Sequence, residues 1–192
     1  MGGERRERGS SDAPHAPHAP HAPDTPDPRA EADAPPRFAC DAMLGGLARW
    51  LRALGYEAAF EHGIEDAALV ARAADTGAIL LSSDRPLFER RAVRAGEVRA
   101  LFVPRHAPVH EQATFVLRAF ELDVRPPRCM RCGGALVEAP REDVRDEVPP
   151  RSLRAYALFY RCARCRGVFW HGTHWARIEA ERLEIARQLA AR

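Results

Sequence analysis

Four of the five cysteines stand in two pairs, Cys129-Met-Arg-Cys132 and Cys162-Ala-Arg-Cys165, with residues 133–161 between them. A CxxC turn aims two thiolates at one point, and two such turns complete a tetrahedron around a zinc ion. Two disulfides or a redox dithiol are the other readings of these residues. The cytoplasmic location expected of the chain disfavours disulfides, and a redox centre needs one pair rather than two. Four thiolates leave no open coordination position, so the expected zinc is structural. Gly133, Gly134 and Gly167 follow the pairs and permit the tight backbone of a knuckle. Cys40 stands apart in a short apolar run and is expected to be an inert buried thiol.

Three aspartates make a second set. Asp41 follows the apolar run Phe38-Ala39-Cys40, Asp84 closes "AILLSSD", and Asp66 opens a helical pattern. An acid just past a strand lies on the edge where open parallel sheets bind ligands. Clustered carboxylates repel unless a cation neutralises them, and their hard oxygens suit Mg²⁺ or Mn²⁺. Each acid also has a plainer reading as a helix N-cap. The acidic pocket of a phosphoacceptor receiver domain is a further arrangement, but the sequence holds no lysine to complete it. Arg49 and Arg52 lie three apart on the helix after Asp41, and Arg85 adjoins Asp84. All three are candidates to grip phosphates, or to pair with the acids themselves. His171, His174 and Trp175, beside the second cysteine pair, are candidates to stack on an unpaired base, with core packing the alternative for Trp175.

The elements that must hold these residues are legible from periodicity. Leu44, Leu47, Ala48, Leu51 and Leu54 recur at helical spacing, and Gly55 ends that helix. Strands are expected at 56–60, 78–84 and 99–103, with helices from Asp66 to about Gly77, over 86–95 and over 108–121. Short apolar strands alternating with helices imply a parallel sheet covered on both faces, over 37–125. Pro126-Pro127 marks its end. A small cysteine-bearing unit follows over 128–173, with strands at 135–138 and 156–161. The segment 174–192 carries a last helix over 176–191. Trp175, Ile178, Ile185 and Leu189 share a face of that helix, which is expected to pack on one of the units.

Residues 1–36 carry 8 of the 16 prolines and the repeat "APHAPHAPHAP". Such a segment buries too little apolar surface to offset its ordering entropy, so a disordered tail is expected, with His15, His18 and His21 as solvated linker residues. Net charge is +2, and every basic residue other than histidine is arginine. Residues 37–192 hold 25 Arg against 20 acids, a mild excess that does not by itself establish a nucleic-acid partner. No apolar run approaches the ~20 residues of a membrane span. The first residues lack an apolar signal-peptide centre, so a soluble, cytoplasmic protein is expected.

The motifs "DAMLGGLARWLRALGY", "LLSSDRPL", "CMRCGGALVE", "VPP" and "FYRCARCRGVFWHGTHW" occur in this order. Over about 37–178 the chain resembles the Mut-seven C-terminal RNase family, a PIN-like nuclease domain followed by a zinc ribbon. The resemblance implies an open parallel sheet flanked by helices, then the ribbon and a C-terminal helix. It implies that Asp41, Asp66 and Asp84 hold catalytic Mg²⁺ or Mn²⁺, and that the chain hydrolyses single-stranded RNA. Ser82 stands where the family usually has Thr, and its hydroxyl still hydrogen-bonds a carboxylate or a water. Ser83 stands where Arg is common, which removes one phosphate contact. Glu65 and Glu89 are candidates for a fourth acid. The alternative is a non-catalytic RNA- or protein-binding adaptor in which the ribbon does the work.

Overall fold

The computed structural model describes residues 34–191. The expected tail, 1–36, lies outside the described residues except at 34–36. The first layer is built from β1 (Arg37–Cys40), α1 (Gly45–Ala53), β2 (Glu57–Phe60), α2 (Asp66–Thr76), β3 (Ile79–Ser82), α3 (Arg85–Phe88), α4 (Arg91–Arg94), β4 (Ala100–Phe102) and α5 (Val109–Ala119). The four strands are parallel, in the order β2-β1-β3-β4.

Strand alternation sorts the side chains between two cores. Phe38, Cys40, Ile79 and Leu81 face α1 and α5, where they meet Leu47, Leu51, Val116 and Leu117. Ala39 and Leu80 face α2, α3 and α4, where they meet Leu69, Ala73 and Leu87. Both faces are therefore covered, which is why these strands read as unbroken apolar runs. The chain starts at β1, steps outward to β2, then crosses back to β3 on the other side of β1. The winding reverses between β1 and β3, and a sheet of this kind opens its ligand crevice there, beyond the carboxyl ends of the strands.

The second sheet is antiparallel, β5 (Leu136–Ala139), β6 (Phe159–Cys162) and β7 (Val168–Trp170) in that order. Between β5 and β6 lie α6 (Arg141–Val144) and α7 (Pro150–Ala155). Val144, Val148 and Phe159 make its small core. The final helix, α8 (Thr173–Ala190), returns to the first layer, where Ile185 and Leu189 join the core of Leu47 and Val116. Arg118 Nη2 donates to Gln188 O at 2.9 Å and secures the return.

The structure differs from expectation in several elements. The helix expected over 86–95 is two short ones, broken at Arg90, which is extended (φ −62, ψ 138). Leu87 and the pair Ala92 and Val93 pack into the same core. A straight helix points residues five or six apart in different directions, and the break lets both groups face inward. In the ribbon, β7, α6 and α7 are additional, and α8 starts at Thr173 rather than 176.

Candidate functional site

The cysteines come together as their spacing demands. The four Sγ atoms all lie within 4.8 Å of one another. Cys129 Sγ is 3.7 Å from Cys165 Sγ, and Cys132 Sγ is 3.5 Å from Cys162 Sγ. A tetrahedron of ~2.3 Å Zn–S bonds has sulfur–sulfur edges of about 3.8 Å, so the set has the spacing to hold a zinc ion. Backbone groups shape each knuckle. Gly133 N–H donates to Cys129 O at 2.7 Å from a left-handed conformation (φ 79). Gly134 is required by contact instead: a Cβ there would sit 2.8 Å from Cys162 Sγ and 2.7 Å from Arg164 Cβ. In the second knuckle the left-handed residue is Arg166 (φ 61), not Gly167.

The sulfurs are not electrostatically equal. Burial pushes the Cys129 thiol up to about 12. Burial also acts on Cys162, but the backbone N–H groups of Cys165 and Arg164, together with hydrogen bonds from the Cys132 and Cys129 thiols, outweigh it and bring that thiol down to about 6. Cys40, wholly buried in the first core, is pushed up to about 12 by burial, as an inert thiol should be.

The acids meet the sheet edge in different ways. Asp41 follows β1, and its N–H donates to Leu81 O of β3 at 3.0 Å. The residue is buried, 7 % exposed. Oδ2 accepts the Ser82 hydroxyl at 2.5 Å, and Oδ1 accepts the Met43 N–H at 3.3 Å. Ser82 Oγ in turn accepts the Asp84 N–H at 2.9 Å. One hydroxyl thus joins the ends of β1 and β3 at the point where the winding reverses. Among the described residues, neither Asp41 nor Asp84 forms an ion pair. Asp84 occupies the N-cap position of α3 yet makes no side-chain cap bond.

Asp66 is the first residue of α2, with Glu65 at the N-cap position and no side-chain cap bond. Its carboxylate is turned to Arg90 Nη2 at 3.3 Å. The three aspartates do not form a set as tight as the thiolates. Among the described residues, the cysteines alone bring three or more such ligands within 4.8 Å. Glu89 pairs with Arg94 at 3.8 Å, and Glu65 is exposed.

The arginines separate. Arg49 is exposed and Arg52 is 5 % exposed, although both are on α1. Arg52 Nε donates to Ala58 O at 2.8 Å, and Nη1 donates to Met130 O at 3.1 Å and Arg131 O at 2.9 Å. Its own carbonyl accepts the Arg128 N–H at 2.9 Å. Arg52 therefore pins the first cysteine knuckle to the parallel sheet, and its guanidinium is committed to carbonyls rather than turned to a phosphate. Arg85 is exposed, its guanidinium 5.6 Å over the Phe102 ring.

A family model, the Mut7-C RNAse domain, matches residues 36–182. The chain belongs to the Mut7-C RNAse domain family. A human protein named "Exonuclease mut-7 homolog" is 40% identical over 103 residues, which is 50% of this chain and 11% of that protein. The chain therefore spans about a ninth of this relative's length. No solved structure matches it. The Mut7-C match takes in both cysteine pairs and all three aspartates, so the parallel sheet and the ribbon belong to one family unit.

A cleft of about 1770 Å³ in this Mut7-C chain lies away from the carboxylates. It runs between α1, the first knuckle, the second sheet and α8. Its wall includes Tyr160, Phe169 and Arg131, which sequence reasoning did not single out. Alternation along "FYRC" and "GVFW" sets Tyr160 and Phe169 on the sheet face opposite buried Phe159, a signal that was available. Among the described residues, no helix is long and apolar enough to cross a membrane.

Proposed function

We propose that the chain is a metal-dependent ribonuclease, a PIN-like domain that hydrolyses phosphodiester bonds of single-stranded RNA at the sheet edge between β1 and β3. The observation that carries this reading is the Ser82 hydroxyl, which links Asp41 to the backbone of Asp84 at that edge. The family match and the human relative's name support the reaction class.

Asp41 is a buried carboxylate supplied only with neutral donors. A buried charge without a counter-ion is costly, and a divalent cation offsets that cost. Mg²⁺ is commonly held by one or two carboxylates plus substrate phosphate oxygens, which fits Asp41 and Asp84. When bound, such an ion supplies Lewis acidity toward the phosphodiester. Ser82 fixes which oxygen of Asp41 is free to ligate. Asp66 is the third acid of the edge and must leave Arg90 to join it. Arg85 offers its guanidinium to a phosphate at the same edge. The ribbon, holding structural zinc through Cys129, Cys132, Cys162 and Cys165, serves as the substrate-binding module.

The test is cleavage of a labelled single-stranded RNA with Mn²⁺ or with the cation withdrawn, beside Asp84→Asn. Cleavage should require the cation, and the variant should lose at least about a hundredfold in rate with an unchanged melting temperature. Equal cleavage by the variant sinks the assignment. No cleavage with any divalent cation favours the adaptor instead.

A further inference from the structure

We propose that the cleft between α1, the ribbon sheet and α8 is the bed for an unpaired RNA segment, with bases against an aromatic column and phosphates at Arg49 and Arg131. The proposal rests on the ribonuclease reading and names the surface that presents its substrate.

Three rings form the column. Tyr160 and His171 have centroids 5.2 Å apart with planes at 27°, and His171 and Trp175 are 5.1 Å apart at 10°. The Arg182 guanidinium lies 5.8 Å over the Trp175 ring. Phe169 pairs with Tyr160 across β6 and β7 and so extends the apolar face. A column that served only to pack α8 on the ribbon would be sealed. This one borders the cleft, and its central ring, His171, is exposed. The imidazole is held by stacking, with no hydrogen bond to another described residue. A nucleobase offers the same flat π surface, and stacking tolerates any base sequence.

The polar lining selects an anion. Five arginines and a single acid, Glu179, line the cleft. Arg52 is spent on carbonyls, and Arg182 binds Glu179 and Arg125 O. Arg49 and Arg131 are exposed and make no ion pair among the described residues. Arg182 Nε is buried and has no hydrogen-bond partner among the described residues, a donor left for a ligand oxygen. The size argues for a polymer, since small ligands take roughly 300–1,000 Å³.

The cleft also leads to the acids. Its lining reaches Gly45 and Gly46 at the start of α1, and Phe60 at the end of β2. Phe60 is the register partner of Cys40, the residue before Asp41. A strand lying in the cleft thus has one end at the edge where Asp41 stands.

The experiment measures the Kd of a fluorescent single-stranded RNA by anisotropy, using the full zinc-loaded chain carrying Asp84→Asn so that nothing is cut. His171→Ala should weaken binding about tenfold, with an unchanged melting temperature. Arg49→Gln and Arg131→Gln should each reduce the slope of log K against log salt by about 0.7. A blunt duplex of equal length should bind more weakly than the single strand. A fall in melting temperature with unchanged Kd in His171→Ala makes the column packing only and overturns the proposal. Failure of the single strand to bind any form also overturns it and leaves the cleft to a protein partner. Binding that follows these patterns in a chain whose wild type never cuts sinks the ribonuclease reading and leaves this one standing. Cleavage with Kd indifferent to His171 and Arg131 does the reverse.

Discussion

Ser82 has one proton to donate, and in the structure it goes to Asp41 Oδ2, because the Asp84 N–H occupies an acceptor position on the same oxygen. The polarity of the chain Asp84 N–H, Ser82 O–H, Asp41 carboxylate is therefore fixed. Groups that orient a metal-ligating carboxylate typically contribute 10–100-fold to affinity or activity. On the ribonuclease reading, Ser82→Ala should lower the cleavage rate by about that factor. Ser82→Thr, which keeps the hydroxyl, should retain most of it. Asp66→Asn should cost less than Asp84→Asn, because the Asp66 carboxylate is paired with Arg90 while Asp84 forms no ion pair among the described residues. The check is single-turnover cleavage across a Mn²⁺ titration, and equal losses in all four variants would refute the ranking. The positions of Asp41 and Asp84 were legible in the sequence because an apolar run that stops locates a sheet edge. The role of Ser82 over Ser83 came from the family resemblance and not from the apolar pattern, since it depends on which neighbouring strand each serine faces. Ser83 instead donates to Val103 O at 2.8 Å. Arg49 and Arg52 looked alike for a related reason. Helical spacing groups them, but the carbonyls that pull Arg52 inward include two that lie 78 and 79 residues away in the chain.

Between elements, the second knuckle has its own tie to the parallel sheet. Arg164 Nη2 donates to Glu57 Oε1 of β2 at 2.5 Å, and Nη1 donates to Cys132 O at 2.9 Å. The Arg164 hydrogen bond holds the Glu57 carboxyl below its ordinary value of 4.5. A depressed acid stabilises the fold above its unfolded value and loses that contribution as pH falls through the folded one. Glu57→Gln should therefore be less stable than wild type at pH 7, by about 0.5–1 kcal/mol for a pair this exposed. The gap should close as pH drops below 4.5. Chemical denaturation of both proteins at pH 7 and pH 3.5 reads this difference, and thiolate protonation affects both alike. A gap that persists at low pH would show that Glu57 acts through packing instead of charge. The strands and helices of the first layer were largely legible, because a two-sided core writes itself as apolar runs and helical spacing. The short α6 and α7 were not. They bury few apolar side chains, and their place is set by Phe159 and Val148 in the assembled ribbon core rather than by local pattern.

At the scale of the molecule, the ribbon and the parallel sheet share their supports. Arg52 holds Ala58 O in β2 and two carbonyls of the first knuckle, Arg164 holds β2 and both knuckles, and Arg182 Nη2 holds Arg125 O just before Pro126. The metal set closes this frame. Structural zinc contributes roughly 10–16 kcal/mol in isolated fingers, far more than the ribbon's small core supplies. Loss of zinc should therefore not stay local. Stripping the metal, or Cys162→Ser, should speed amide exchange over 128–173, and also at α1 and β2, where Arg52 and Glu57 lose their partners. Residues of α2 and α3 pack on the opposite face of the sheet and should keep their protection. Arg52→Met in the zinc-loaded chain should reproduce the α1 and β2 effect while zinc stays bound. It should cost about 2–4 kcal/mol, because the buried Ala58 carbonyl and two half-buried carbonyls of the first knuckle lose a charged donor. Hydrogen exchange with zinc stoichiometry by mass spectrometry separates the cases. Protection of α1 and β2 that is indifferent to zinc would mean the ribbon is a passenger on the sheet. Coupled exposure would mean that the zinc knuckles hold both walls of the cleft at a fixed distance from Asp41.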